Sequence, residues 1–178
     1  MNKCQELAMH DLIATLLHLD GDHVIDAYQN ATRPTLPYAS LSYRSTQDES
    51  MVEIGSTDSD GSRNIVSRHT EILEVQVFGG YPDCSPENMI TNMIIGMKLD
   101  AASAIFRENG FCVFDSGPVS TFSAVLNKAL YEKRAFVDLH VRYNSIITDT
   151  TGGRIEKVQI ASGMGTLPDD TIIIESEV

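Results

Sequence analysis

Cysteine is scarce and scattered. Cys4, Cys84 and Cys112 are odd in number, far apart and without C-x-x-C spacing, which argues against both a disulfide framework and a zinc knuckle. No Cys/His/Asn signature surrounds any of them, so they read as reduced thiols of a cytosolic protein, with Cys112 in the core. Basic residues are short too: 13 Lys and Arg stand against 25 Asp and Glu, for a net charge of -12. A protein that grips nucleic acid clusters its cations to neutralise phosphates. Here they are spread along the chain, so tight nucleic-acid binding is disfavoured. The acidity suits passing contact with a duplex, which it repels, and equally suits solubility alone. No segment reaches the about 18 consecutive apolar residues of a membrane span. The first residues, Met1 to Glu6, lead into an amphipathic stretch and not into the apolar core of an export signal.

Catalytic and cofactor motifs are missing as well. Gly163-Met164-Gly165 has no helix pattern after it and is no dinucleotide fingerprint, and neither a Walker A sequence nor a G-x-S-x-G elbow occurs. The cluster from His18 to His23 lacks the i, i+4 spacing that puts two imidazoles on one helix face, so it reads as a capped helix end. Asp58-Ser59-Asp60-Gly61 begins like a calcium loop, but Arg63 and His69 stand where that loop needs glycine and a bidentate glutamate. Nothing singles out a catalytic pair among the acids. Glu132-Lys133-Arg134 and Asp138 read as ion pairs at a strand start. No metal, cofactor or catalytic residue is assigned.

What is present is an ordinary globular composition, 42% hydrophobic and 21% charged over 178 residues, enough to bury a core without staples. Leu7, Leu12, Ile13, Leu16, Leu17 and Leu19 predict a first helix from Lys3 to about Leu19, stopped at Asp20-Gly21-Asp22. Tyr38 to Arg44 alternates as a short strand. The polar stretch 45–67 reads as a long projecting hairpin or loop with its tip at Asp58-Ser59-Asp60-Gly61. Arg68 to Phe78 alternates again and ends at Gly79-Gly80-Tyr81-Pro82. One helix is predicted from Ser85, as N-cap, to Asn109, with Met89, Met93, Ile94, Met97, Ala101, Ala104 and Ile105 inward and Gly110 after it.

Phe111 to Asp115 reads as a strand and Thr121 to Leu130 as a short helix. Arg134 to Ile147 is the longest strand, with Ala135, Val137, Leu139, Val141 and Tyr143 on the core face. Gly152-Gly153 turns the chain into a strand over 155–160. The β-branched end around Ile172-Ile173-Ile174 pairs with a sheet edge of its own chain or of a neighbour. The order predicts an α+β fold, a mostly antiparallel sheet with two main helices on one face, as a single domain over 1–162 followed by a C-terminal extension over 163–178.

Tyr131-Glu132-Lys133-Arg134-Ala135-Phe136-Val137-Asp138-Leu139-His140-Val141-Arg142-Tyr143 resembles the late strand of the phage neck-terminator family, relatives of tail-terminator and tail-completion proteins. Arg33-Pro34 to Tyr43, Glu74-Val75-Gln76-Val77-Phe78-Gly79, and Gly110-Phe111 with Val113 match in order, over roughly 5 to 160. The resemblance rests on packing motifs. It implies a non-catalytic virion protein, assembled in the host cytoplasm into a homo-oligomeric ring, commonly a hexamer. Such a ring terminates the tail tube at the neck and joins it to the portal and connector on the head side, and to tube or sheath proteins on the tail side. Double-stranded DNA passes through its lumen, and no membrane is involved. A closed ring uses heterologous contacts, for which Glu132, Arg134, Asp138, His140, Arg142, Ile172, Ile173 and Ile174 are candidates. Asp48, Glu49, Glu53, Asp58 and Asp60 are candidates for an acidic lumen or projecting loop. Three other readings stay open on the residues alone. One is another phage tail or connector subunit, a second is a cytosolic α+β adaptor with a defined apolar pocket, and a third is an enzyme with converging acids.

Overall fold

The computed structural model describes residues 1–30, 32–79, 85–127, 130–150, 157–160 and 172–175. In chain order the elements are α1 (Lys3–Leu17), a 3-10 turn (Gly21–His23), β1 (Val24–Asp26), β2 (Tyr38–Thr57), β3 (Arg63–Gly79), α2 (Pro86–Gly96) and α3 (Asp100–Asn109). Then come β4 (Phe111–Ser116), β5 (Ser120–Asn127), β6 (Leu130–Asp149), β7 (Lys157–Ile160) and β8 (Ile172–Glu175). The main sheet runs β1-β2-β3-β6-β4, with β5 also paired to β6. Only β1 is parallel to its neighbour among the registers resolved, while β4 and β5 run antiparallel to β6. The chain is an α+β protein. It divides into two units, one of residues 1–52 and 67–145, the other of 53–66 and 146–178.

In the first unit α1 starts on a capping box. The Asn2 side chain accepts from the Gln5 amide (2.9 Å) and the Gln5 side chain accepts from the Asn2 amide (3.1 Å). Gln5 is itself buried, donating to the carbonyls of Asn109 and Gly110. The helix stops earlier than Asp20-Gly21-Asp22: His18 takes the left-handed conformation (φ 54°), and the Leu19 amide closes back on Ala14 at 3.0 Å. Its buried face is Met9, Leu12, Ile13, Ala14 and Leu17, whereas Leu7 points outward, 52% exposed.

The single helix expected over 85–109 is two, bent by 71°. Ser85 and Pro86 open α2 as expected. Gly96 closes it against α1, since a Cβ there would meet Leu16 Cδ2 at 2.6 Å. The break then re-phases the apolar stripe. Ile90, Met93 and Met97 are buried, but from there Ala102 and Phe106 are the buried residues of α3, Ile105 packs half-buried against the core, and Ala101 is exposed. Gly110, at φ 69°, ends α3. No single helix among the described residues is long and apolar enough to cross a membrane.

The short helix expected over 121–130 is the strand β5, paired from Ser120↔Phe136 to Asn127↔Leu130. Its β-branched and aromatic residues, Thr121, Phe122 and Val125, suit a strand, and the ladder to β6 satisfies its backbone groups. Against the helices the sheet buries Leu73, Val75 and Val77 of β3 and Ala135, Val137, Leu139 and Val141 of β6, all at 0% exposure. The helix-facing side of β6 is the one the alternation predicted. Cys112 is only half-buried, and Cys4 is exposed.

In the second unit β2 and β3 turn at 58–62, where the Asp58 amide donates to Ser62 O (2.7 Å) and the Gly61 amide to Asp58 O (3.0 Å). The stretch read as hairpin or loop is therefore a hairpin. Arg63 donates to Asp149 Oδ2 (2.9 and 3.0 Å) and Thr148 to Asn64 Oδ1 (3.0 Å). The tail strand β8 pairs antiparallel with β7, from Ile160↔Ile172 to Lys157↔Glu175, so its partner is this chain. The turns expected at Gly80 to Pro82 and at Gly152-Gly153, the thiol Cys84 and the domain boundary at 162/163 lie outside the described residues.

Replacing Leu139 by alanine should cost about 2–5 kcal/mol in denaturant unfolding, because a fully buried side chain leaves a cavity. Ile95→Ala, on the exposed side of α2, should cost less than about 0.5 kcal/mol.

Candidate functional site

The face of the sheet turned away from the helices carries the even-numbered residues of β3 and β6, and most of the polar residues singled out from sequence project from it. At one end Tyr38 of β2 stacks on Phe78 of β3, with centroids 4.4 Å apart and planes 7° from parallel. Arg134 lies over Phe78 (4.9 Å to the centroid) and Phe122 (5.5 Å), and Arg33 lies over Tyr38 and Phe78 (5.5 Å each). Between the two guanidinium groups sits Glu132. It accepts from Arg134 Nε at 2.6 Å and from Arg33 Nη1 at 3.4 Å, and its side chain is 2% exposed. Residues i and i+2 of a strand share a face, which is what lets Glu132 and Arg134 meet.

Along the same face Arg44 pairs with Glu74 and approaches Asp138 at 3.8 Å. That distance is too long for a hydrogen bond, and one Asp138 oxygen has no hydrogen-bond partner among the described residues. Further on, Arg142 donates to Glu49 (3.0 Å) while lying over Phe114 at 4.6 Å, and Thr70 donates to the same Glu49 oxygen at 2.9 Å. His140 meets Phe114 edge to face at 5.9 Å. Glu49 and Arg142, assigned from sequence to different surfaces, are thus partners.

These contacts also locate a slip in β2. Arg44 and Glu49 are an odd number apart yet reach the same face, while Thr46 bonds Tyr143 and Asp48 accepts from Ser67 (2.8 Å) on the other. Strand alternation must therefore shift by one residue between 44 and 46, as at a β-bulge.

On the helix side, beyond the core, Tyr43 is pressed toward three carboxylates. Burial first, then Glu6, Glu71 and Asp26, push its phenol pKa well above the ordinary value, and its hydroxyl has no hydrogen-bond partner among the described residues. Glu71, 7% exposed, is itself held by the Met1 amino group at 2.8 Å. Tyr38 and Tyr143 are also raised, again chiefly by burial.

In the second unit Asp60 accepts from the Ser62 hydroxyl (2.7 Å) and amide (3.0 Å), and these bonds hold its pKa below the usual range. Asp58 stands at the same turn, and Glu53 lies on the β2 side of it. Ile54, Ile146 and Ile147 are more than half exposed. Ile172, Ile173 and Ile174 are placed by backbone pairing to β7. Among the described residues no three of His, Cys, Asp and Glu converge on a metal-holding arrangement.

An arrangement built from stacked rings, forked guanidinium pairs and packed strands holds surfaces in register. A family model described as the phage neck terminator protein matches residues 6–167. The chain belongs to the phage neck terminator family. It is a structural protein of the phage neck, and the family implies contact with other head and tail proteins. Comparison with curated proteins gives no match.

The alternation of β6 names Asp138, His140 and Arg142 on one face, and Glu132 with Arg134 is expected as an ion pair at the strand start, which is how the two meet. Sequence reasoning missed Arg33, Arg44, Glu74, Tyr38, Phe78, Phe114 and Phe122 as their partners, because pairing across strands has no local signal. The alternation of Glu74, Gln76 and Phe78 in β3 was the one available clue.

Glu132→Ala should destabilise the neck terminator by about 3–5 kcal/mol, since it strips a buried carboxylate from the two arginines around it. Arg33→Ala, at a half-exposed partner, should cost under about 1 kcal/mol; urea titration of both variants decides. Because burial raises Tyr43, the folded chain keeps this proton at pH values where the unfolded chain loses it. Stability should be fully present below about pH 10 and fall above it, with a shallower fall in Tyr43→Phe measured by thermal melting across that range.

Proposed function

We propose that copies of this chain form a closed ring, commonly a hexamer, at the phage neck. The ring terminates the tail tube and joins it to the portal and connector of the head, with DNA passing through its lumen. The family match over 6–167 carries this reading. The charge supports it: a chain at -12 repels a duplex and lets it slide where a basic lining would hold it. The hairpin carboxylates Asp58 and Asp60, with Glu53 beside them, are the acids we assign to the lumen. Asp48 and Glu49 hold β2 through Ser67, Thr70 and Arg142, and we give them a positioning role.

We assign copy-to-copy contacts to the outward-facing His140 and Arg142, and to Asp138. Glu132 and Arg134 shape the surface from within. The exposed isoleucines 54, 146 and 147 supply apolar area of the kind that protein contacts cover, and Ile172, Ile173 and Ile174 remain candidates beside them. The chain carries out no catalysis in this role and needs no cofactor. Assembly takes place in the host cytoplasm.

A phage lacking this chain should yield filled heads and tails that stay unjoined in negative-stain images. Adding the purified protein to the lysate should restore joined particles. Joined, normal-length particles without it would sink the reading.

A further inference from the structure

Two grooves in the first unit sit at opposite ends of the strand order and carry opposite charge. At the β4 end a groove of about 780 Å³ is lined by Arg68, Arg107 and Arg142 against one acid, Asp100, over a floor that includes Phe106 and Tyr143. At the β1 end a groove of about 390 Å³ is lined by Glu6, Asp22 and Asp26 against one lysine, Lys3, with His10 and Tyr43 behind them. In a chain with so few cations, three arginines in one groove are a concentration that net charge would not lead one to expect. Neither groove is loosely built. Arg142 is set by Glu49 and the Phe114 ring, and Arg107 Nε donates to Ser103 O at 3.3 Å. On the acidic side His10 Nε2 donates to Val24 O at 2.7 Å, tying α1 to β1.

The strand order β1-β2-β3-β6-β4 makes β1 and β4 its two ends, so a single copy cannot bring its own grooves together within this sheet. A second copy in the same orientation can. We propose that the arginine groove at the β4 edge of one copy receives the acidic β1 edge of the next, residues Glu6, Asp22 and Asp26, in a repeating head-to-tail contact. This rests on the self-assembly reading above and names the surfaces that carry it. A heterologous contact of this kind repeats with one sense of rotation and closes into a ring when the rotation divides the circle. Complementary charge sets which edge meets which and rejects like against like, so two acidic edges or two basic edges do not dock.

The test is charge reversal with mixing, read by sedimentation velocity and native mass spectrometry of the full chain. Arg107→Glu and Asp26→Arg, both at exposed positions, should each weaken self-association by about tenfold or more. An equimolar mixture of the two should recover it, because each reversed groove then meets a reversed edge and each native groove a native edge. The recovered rings should alternate the two chains strictly. Association of the wild-type chain should also weaken as salt rises from about 0.05 M to about 0.5 M.

Recovery by mixing separates this contact from damage to the fold, since a misfolded chain is not rescued by a partner. Wild-type association that both single reversals leave intact overturns the edge assignment and leaves self-assembly standing. Weakened variants that mixing does not rescue overturn it too. A wild-type chain that stays monomeric at low salt overturns the head-to-tail contact, while the particle-joining assay decides the neck reading separately. Loss of duplex-DNA retention in Arg107→Glu with self-association unchanged would make the groove a phosphate site and overturn the proposal.

Discussion

Strand β6 has obligations to three other strands at once, and these fix what both its faces can be. It pairs with β5 over residues 130–136 and with β4 over 139–143, and it lies beside β3 in the strand order. Its odd-numbered residues fill the space under the helices; its even-numbered ones hold the arginine and carboxylate pairs of the other face. A shift of one residue would put Asp138 and His140 in the core and Val137 and Leu139 in water. The apolar face and the polar face therefore hold each other in register. The β4 bulge between Val113 and Asp115 is accommodated without disturbing it.

The scarce cations follow from this. Arg33, Arg44, Arg63, Arg134 and Arg142 all meet carboxylates of the same chain, mostly across strands. Exposed pairs of this sort contribute little each, about 0–1 kcal/mol. Their geometry matters more than their energy, since a planar guanidinium between two strands, or flat against a ring, positions the strand it grows from. Glu132 is the exception in energy, because it is buried between two such groups.

Membership of the neck terminator family gives these surfaces a context: a structural protein that works through what it touches. A chain with a net charge of -12 repels others of the same sign, and opposite patches that meet offset that repulsion. The opposed charge at the β1 and β4 ends is the kind of arrangement that answers this.

Alternation of β3 and β6 was legible because each has a dry face and a wet face, and a period of two follows directly from that. The same logic identified α1, the cap at Ser85 and Pro86, and Gly110 after the last helix turn. It misjudged 97–99, where an unbroken apolar pattern hid a bend that brings Gly96 against Leu16. It also took β5 for a helix, since a short mixed segment acquires its strand conformation from the partner beside it. The second half of β2 shows no apolar period. Bonds from Ser67, Thr70 and Arg142 to its acids hold it instead. Local periodicity and residue order are enough to give the α+β class, the alternating faces of β3 and β6 and the family. Which charges are partners, where β2 slips and which edge of the sheet is basic come from the folded arrangement. Those depend on residues that the chain separates by dozens of positions and folding brings within a few ångströms.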